Sequence, residues 1–308
     1  MSVSNHMSSF ERRVAFLLAG IFSTRMLGLF MILPVFALYA QDVEGYTPFL
    51  AGLALGVYGL TQALFQIPLG LLSDRIGRKP VIIAGLLVFA IGSVVAAMAD
   101  SLWGIVLGRA LQGAGAIASA VMALAADLTR EEHRVKVMAL IGISIGASFA
   151  LALVIGPILH GWAGLPGIFW ITALLAMLGV LLVVSKVPRP AVSRFRRDTE
   201  VELDWVGQAL SHPQLLRMDL SIFILHFILM ASFVVVPILL AQQLAAGVAT
   251  HWKVYLPVLL LSMLAVGPFI ILAEKKQYIK QMLTVSISLI AVSQLGFSPV
   301  SYTHLRAH

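Results

Sequence analysis

The chain has 308 residues, of which 60% are hydrophobic and only 11% charged, and its mean hydropathy is +0.97. A soluble domain is about half apolar and about a quarter charged, so the long apolar runs here must face lipid rather than a private core. The absence of cysteine excludes disulfides and thiolate metal sites, and in so apolar a chain the placement of the +7 net charge matters more than its sum.

In chain order, the polar and then basic start MSVSNHMSSFERR leads into an apolar run from Val14 to Ala40. That run is too long for the core of a signal peptide and reads as an uncleaved first transmembrane helix. Eight full spans follow from the apolar segments, at 13–40, 48–72, 80–98, 102–126, 135–160, 165–187, 218–242 and 254–273. A ninth, 281–297, begins and is cut short. About 20 helical residues cross a bilayer core, so the longer runs can tilt.

Lysine and arginine set the orientation. With the N-terminus placed in the cytoplasm, 17 of the 21 basic residues fall in cytoplasmic segments and only Lys253 falls outside. Arg25 and Arg109 lie within spans, and Arg306 lies in the tail. This is a strong positive-inside pattern, and it fixes six spans before a basic cytoplasmic linker at 188–216.

The chain also repeats itself. FMILPVFAL in span one is similar to FVVVPILLA in span seven, which aligns Pro34 with Pro237. PLGLLSDR from Pro68 is similar to PFIILAEK from Pro268, and each proline precedes an acid by six residues, Asp74 and Glu274. Two such pairs, in order and at offsets of 203 and 200 residues, favour two duplicated six-helix halves. The four prolines mark possible hinges.

Charge concentrates in GLLSDRIGRK, residues 70–79. A solvated turn obeying the positive-inside pattern accounts for Arg75, Arg78 and Lys79 but leaves Asp74, Gly70 and Gly77 unexplained. A carboxylate directly after an apolar span needs a cationic or helix-N-terminal partner, and Gly77 permits a tight reversal with φ > 0. Asp127 ends span four, where a capping acid is the ordinary reading. Arg109 and Gln112 stand a turn apart in span four, and a guanidinium at that depth is costly unless paired or hydrated. Arg25 lies mid-way along span one, and His226, a side chain able to titrate near neutrality, lies in span seven. In span five, Gly142, Gly146 and Gly156 allow close helix packing, and Pro157 removes a backbone hydrogen bond and bends the helix.

The loop GLLSDRIGRK resembles the signature between spans two and three of the major facilitator superfamily, matching at Gly70, Leu72, Asp74, Arg75, Gly77, Arg78 and Lys79. LGRALQGAGA in span four is similar to that family's arginine motif through Arg109, Gln112 and Gly113. GISIG from Gly142, followed by Gly156 and Pro157, is similar in part to the span-five motif of the family's drug:proton antiporters, whose trailing glycine pair is absent. The resemblance implies an all-α polytopic membrane protein with the major facilitator fold. One six-helix bundle would span 1–187, and an incomplete second bundle of about three helices would span 217–297. It implies a conformational latch of Gly70, Asp74, Arg75, Gly77, Arg78, Lys79 and Asp127, in which Asp74, Arg78 and Asp127 cluster and hold the outward-open state. Arg109, with Gln112 on the next turn, would serve proton coupling or hold span one. Arg25, in a span without the acid that many drug antiporters carry there, would line a cavity and attract anionic or polar substrate groups, or else pair structurally with a carbonyl or with a helix of the other half. His226 would be a proton carrier or an ordinary hydrogen-bonded side chain.

The closing SPVSYTHLRAH fits no family pattern, and VSYTHLRAH resembles a translated sequencing-library adapter. Residues 298–308 are therefore expected to be non-native and the second half truncated. The function this implies is a proton-coupled secondary transporter, an exporter of drug-like or small organic compounds by alternating access. The alternatives are a small-metabolite symporter and a non-transporting membrane scaffold or sensor. HExxH and cysteine are absent from the chain, so no enzyme is expected, and neither are a cofactor, a metal or a nucleic-acid partner. The expected setting is the bacterial inner membrane, with a monomer taking a small-molecule substrate and a proton.

Overall fold

A computed structural model describes residues 7–188, 211–244, 247–275 and 278–305. Most of the linker, including Arg189, Arg194, Arg196 and Arg197, lies outside the described residues, as do Lys276 and the side chain of Glu274. The described chain is helical: α1 Ser9–Phe30, α2 Leu33–Tyr39, α3 Pro48–Ile76, α4 Arg78–Ala97, α5 Leu102–Ala114, α6 Ala118–Leu128, α7 Glu131–Lys186, α8 Pro213–Leu244, α9 Trp252–Lys275 and α10 Ile279–Leu305. Among the described residues, seven helical segments are long and apolar enough to cross a membrane.

Local chemistry sets most boundaries. Ser8 and Glu11 close a capping box at the start of α1, the Ser8 hydroxyl accepting from the Glu11 amide and Glu11 from the Ser8 amide. Thr47 caps α3 ahead of Pro48, and Ser101 caps α5. Gly77, at φ 99°, makes the whole connection between α3 and α4, as its expected positive φ requires.

Several boundaries differ from the apolar pattern. Span one is two helices, because α1 ends at Phe30 and Pro34 sits in the first turn of α2, where its missing N–H costs no hydrogen bond. Span four is also two helices, unwound at Gly115–Ile117 between α5 and α6. Spans five and six, which together make α7, do meet where the apolar pattern divides them, at Gly164, whose φ of 64° is non-helical. The ninth span does not stop at Phe297: α10 continues to Leu305, through most of the tail expected to break it.

The residues divide into two compact units, one through Lys253 and one from Val254 onward. In the first, α1 runs along α7 over most of its length. Small and hydroxyl side chains make that approach possible. Ser23 Oγ lies 2.7 Å from Ser148 Oγ, Ser144 Oγ donates to the Ala19 carbonyl at 3.3 Å, and Thr172 Oγ1 donates to the Gly28 carbonyl at 3.1 Å. The core fills in two clusters. One holds Leu18, Ile21, Phe22, Ile82, Leu86, Phe89, Leu124 and Val137. The other holds Ile32, Phe36, Ala54, Ile105, Ile168 and Phe169, and also Phe233 of α8. Edge-to-face rings carry α8 onto this unit, Phe30 to Phe149 at 5.2 Å and Phe149 to Phe233 at 5.8 Å. The second unit consists of α9 from Val254 onward, with Pro257 and Pro268 inside it, and α10.

Candidate functional site

Two polar constellations stand in the first unit, one at a helix end and one inside the bundle. At the α3–α4 turn, Arg78 pairs with Asp74 one helical turn before it, and its Nε lies 3.3 Å from Asp127 Oδ2 on α6. Arg78 Nη1 donates to Ser73 Oγ at 2.7 Å, and Ser73 Oγ donates to the Gly70 carbonyl at 2.6 Å. The three charged side chains are 16–28% exposed, so the cluster is shielded more than a surface pair. Gly70 lets α3 approach α6, since a β-carbon there would stand 3.0 Å from Ser119 Oγ. Lys79 Nζ donates to the Val187 carbonyl at 2.6 Å and so closes the C-terminal end of α7. Arg75 is exposed.

Inside the bundle, Arg109 is 1% exposed and well satisfied. Its Nε donates to the Ala54 carbonyl at 3.2 Å and its Nη1 to Gln112 Oε1 at 2.8 Å. Gln112 Nε2 passes the chain on to Ser93 Oγ at 2.7 Å, which donates to the Phe89 carbonyl at 2.8 Å. Arg25 is 0% exposed and poorly satisfied. Its Nη2 donates to Gln62 Oε1 at 3.2 Å and to the Gly115 carbonyl at the α5–α6 break at 3.5 Å. Its Nε and Nη1 have no acceptor among the described residues. Aromatic faces partly compensate: the Arg25 guanidinium lies 5.2 Å from the Phe89 ring and 5.9 Å from the Tyr58 ring, and Arg109 lies 4.8 Å from the same Tyr58 ring. Both arginines are thus enclosed by α3, α4 and their own helices rather than presented to an open space.

The sequence of residues 17–307 matches the family model described as Major Facilitator Superfamily. The chain belongs to the major facilitator superfamily. It is 50% identical over 287 residues to the inner membrane transport protein YajR of Escherichia coli (strain K12), covering 92% of this chain and 63% of that relative's length. It is 32% identical over 188 residues to the class B tetracycline resistance protein of Escherichia coli, covering 58% of this chain and 45% of that one. Among solved structures, a bacterial homologue of the human lysosomal transporter Spinster, in an inward-facing and occupied conformation, superposes with a TM-score of 0.70 at 15% identity. That superposition covers 88% of this chain and 63% of the other, and it shows the fold alone.

Asp74 and Arg78 of the loop that matches the superfamily signature meet Asp127 of α6 at one helix end, and Arg109 meets Gln112 inside the bundle. Arg25 reaches both a side-chain amide, Gln62, and a carbonyl, Gly115. His226 stands apart, exposed on α8 with Nδ1 2.9 Å from the carbonyl of Ile222 in its own helix, the ordinary hydrogen-bonded arrangement.

The span-five glycines divide. Gly142 and Gly146 meet nothing within 4 Å, so only Gly156, whose added β-carbon would stand 2.5 Å from the Met31 carbonyl, packs closely. Gly156→Ala is therefore expected to destabilise the bundle by about 1–3 kcal/mol through overpacking. Gly142→Ala is expected to be neutral or stabilising by up to about 1 kcal/mol, the helix-propensity difference. Thermal unfolding of the two purified variants separates them.

Reading the sequence missed Ser73, Tyr58 and the pair Glu11–Arg130. Ser73 lies inside the quoted loop and was open to recognition. Glu11 carries a signal too, since Ser-x-x-Glu before an apolar run marks a capping box. Arg130 donates to Glu11 through its backbone N–H, Nε and Nη2, each at 3.0 Å. This contact holds the Arg130 guanidinium above its ordinary pKa.

Proposed function

We propose that the protein is a proton-coupled secondary transporter that exports drug-like or small organic compounds by alternating access. It works in the bacterial inner membrane as a monomer with its N-terminus in the cytoplasm. Residues 1–187 form one half, 188–216 the cytoplasmic linker, and residues from 217 onward belong to the other half. The observation that carries this reading is the formed Asp74–Arg78–Asp127 cluster with Ser73 behind it. Packing alone does not need an acid, a base and a second acid at the end of an apolar span, where each must be desolvated and paired. A charge cluster that forms in one conformation and opens in the other is what a two-state carrier needs. The antiporter-like Gly156–Pro157 pair in α7 supports export, and the enclosed Arg109–Gln112–Ser93 chain supplies a polar path for coupling from span four to span three.

The test is a flux assay in liposomes. The chain spans 63% of the length of its E. coli relative, so the assay uses it extended to that full length. Ethidium is the export probe and pyranine reports internal pH. Ethidium movement coupled to proton movement is the expected result. Proton movement coupled to uptake would favour a symporter, and movement of neither would favour a non-transporting scaffold.

A further inference from the structure

We infer that Glu11 is a positioning residue for the Asp74–Arg78–Asp127 latch, acting through Arg130; the inference rests on the latch reading above. Glu11 stands at the start of α1, far in sequence from the latch, yet only 3% exposed. A carboxylate so enclosed must be fully bonded. Its oxygens accept from the backbone N–H, Nε and Nη2 of Arg130, each at 3.0 Å, and from the Ser8 amide at 2.8 Å.

The grip falls on a short junction. The helix α6 ends at Leu128 and α7 begins at Glu131, so Thr129 and Arg130 make the entire connection. Thr129, buried, donates to the Ala125 carbonyl at 2.6 Å and ties the junction back onto α6. Arg130, at φ −62° and ψ 150°, is the N-cap of α7, and Glu11 accepts the N–H of that cap residue. A junction of two residues, bonded on both sides, leaves α6 little freedom to shift or rotate at this end. Asp127 sits three residues before Arg130, on the last turn of α6, and meets Arg78 at 3.3 Å. Moving the junction by an ångström would take that contact outside bonding range. Glu11 thus fixes where the second acid of the latch stands, although it touches neither Arg78 nor Asp127 directly.

A purely local role would be to cap α1. Ser8 shares that role and does not reach Arg130, so Ser8→Ala isolates it.

The chain has no cysteine, so spin labels can be placed without background substitutions. Ile76→Cys beside the latch turn and Val135→Cys on the first turns of α7 are both well exposed. Pulsed electron–electron distances between them are measured on the purified chain in nanodiscs. Asp127→Asn should shift and broaden the distance distribution. Glu11→Gln, which keeps size and loses charge, should shift it equally, and the double variant should go no further than either single change. Ser8→Ala should lower thermal stability and leave the distances unchanged. An unaltered distribution in Glu11→Gln, or a double variant equal to the sum of the singles, overturns the inference. If Glu11→Gln does not fold, Arg130→Lys, which keeps the charge and the backbone N–H but loses the fork, is read by the same criteria. Because the readout is latch geometry and not flux, a failed flux assay would refute the transport reading without touching this one.

Discussion

Arg78→Ala yields a protein that inserts and folds but does not turn over. Arg78 joins the charge cluster: it meets Asp74 within its own turn, Asp127 on α6 and the Ser73 hydroxyl. Its removal leaves two carboxylates facing each other without the cation that joins them. Charge-assisted bonds of this kind are worth about 1.5–3 kcal/mol each, and every 1.4 kcal/mol is tenfold in a two-state equilibrium. The loss of two such bonds therefore shifts the balance between conformations by roughly a hundredfold or more. The fold itself is not at risk to the same degree. The cluster lies at a helix end with 16–28% exposure, where water can take over the stranded charges, and the bundle core lies elsewhere. Asp74→Asn should act in the same direction. The check is flux in liposomes alongside thermal unfolding in detergent: transport abolished with the unfolding midpoint nearly unchanged. Wild-type flux in either variant would refute the latch.

What could be read ahead of the structure follows the range of the forces involved. The spans were legible because each apolar run is local and lipid demands its length. The charge cluster was legible in part because Asp74 and Arg78 lie within 70–79 and the signature fixes their spacing. The break of span four at Gly115–Ile117 was not, since apolar residues continue on both sides and no proline marks it. Its cause is packing across helices: a β-carbon on Gly115 would stand 2.3 Å from the Gly85 carbonyl, and one on Gly113 would stand 2.2 Å from the Tyr58 carbonyl. Those approaches depend on α3 and α4, which sequence position does not bring together. Glu11–Arg130 joins residues 119 apart and was invisible for the same reason. The continuation of α10 past Phe297 was not legible, because the tail's residues, whatever their origin, can extend a helix already begun.

Arg25→Met and Arg109→Met should change stability in opposite directions. Both residues are essentially unexposed arginines on the same aromatic ring, Tyr58, and an argument from burial alone would treat them alike. Their bonding separates them. Arg109 holds the Ala54 carbonyl and Gln112 Oε1, and Gln112 in turn holds Ser93. Methionine at 109 strands a chain of buried polar groups in a bilayer-spanning core, at a cost of about 3–5 kcal/mol. Arg25 has two nitrogens without acceptors among the described residues, and the ion pairs found among those residues all lie elsewhere. Its ring contacts return about 2 kcal/mol or more when desolvated, less than the several kcal/mol needed to dehydrate an unpaired guanidinium in a membrane interior. Methionine fills a similar volume with no charge to dehydrate, and replacements of this type stabilise by about 1–4 kcal/mol. Arg25→Met should therefore raise the unfolding midpoint while Arg109→Met lowers it, as followed by the intrinsic fluorescence of the five tryptophans. A charge that weakens the fold persists only where it does work, so the stabilised Arg25→Met protein should also lose flux in liposomes. Lower stability in Arg25→Met would show instead that the rings and Gln62 satisfy the guanidinium in full, leaving it a structural tie at the span-four break.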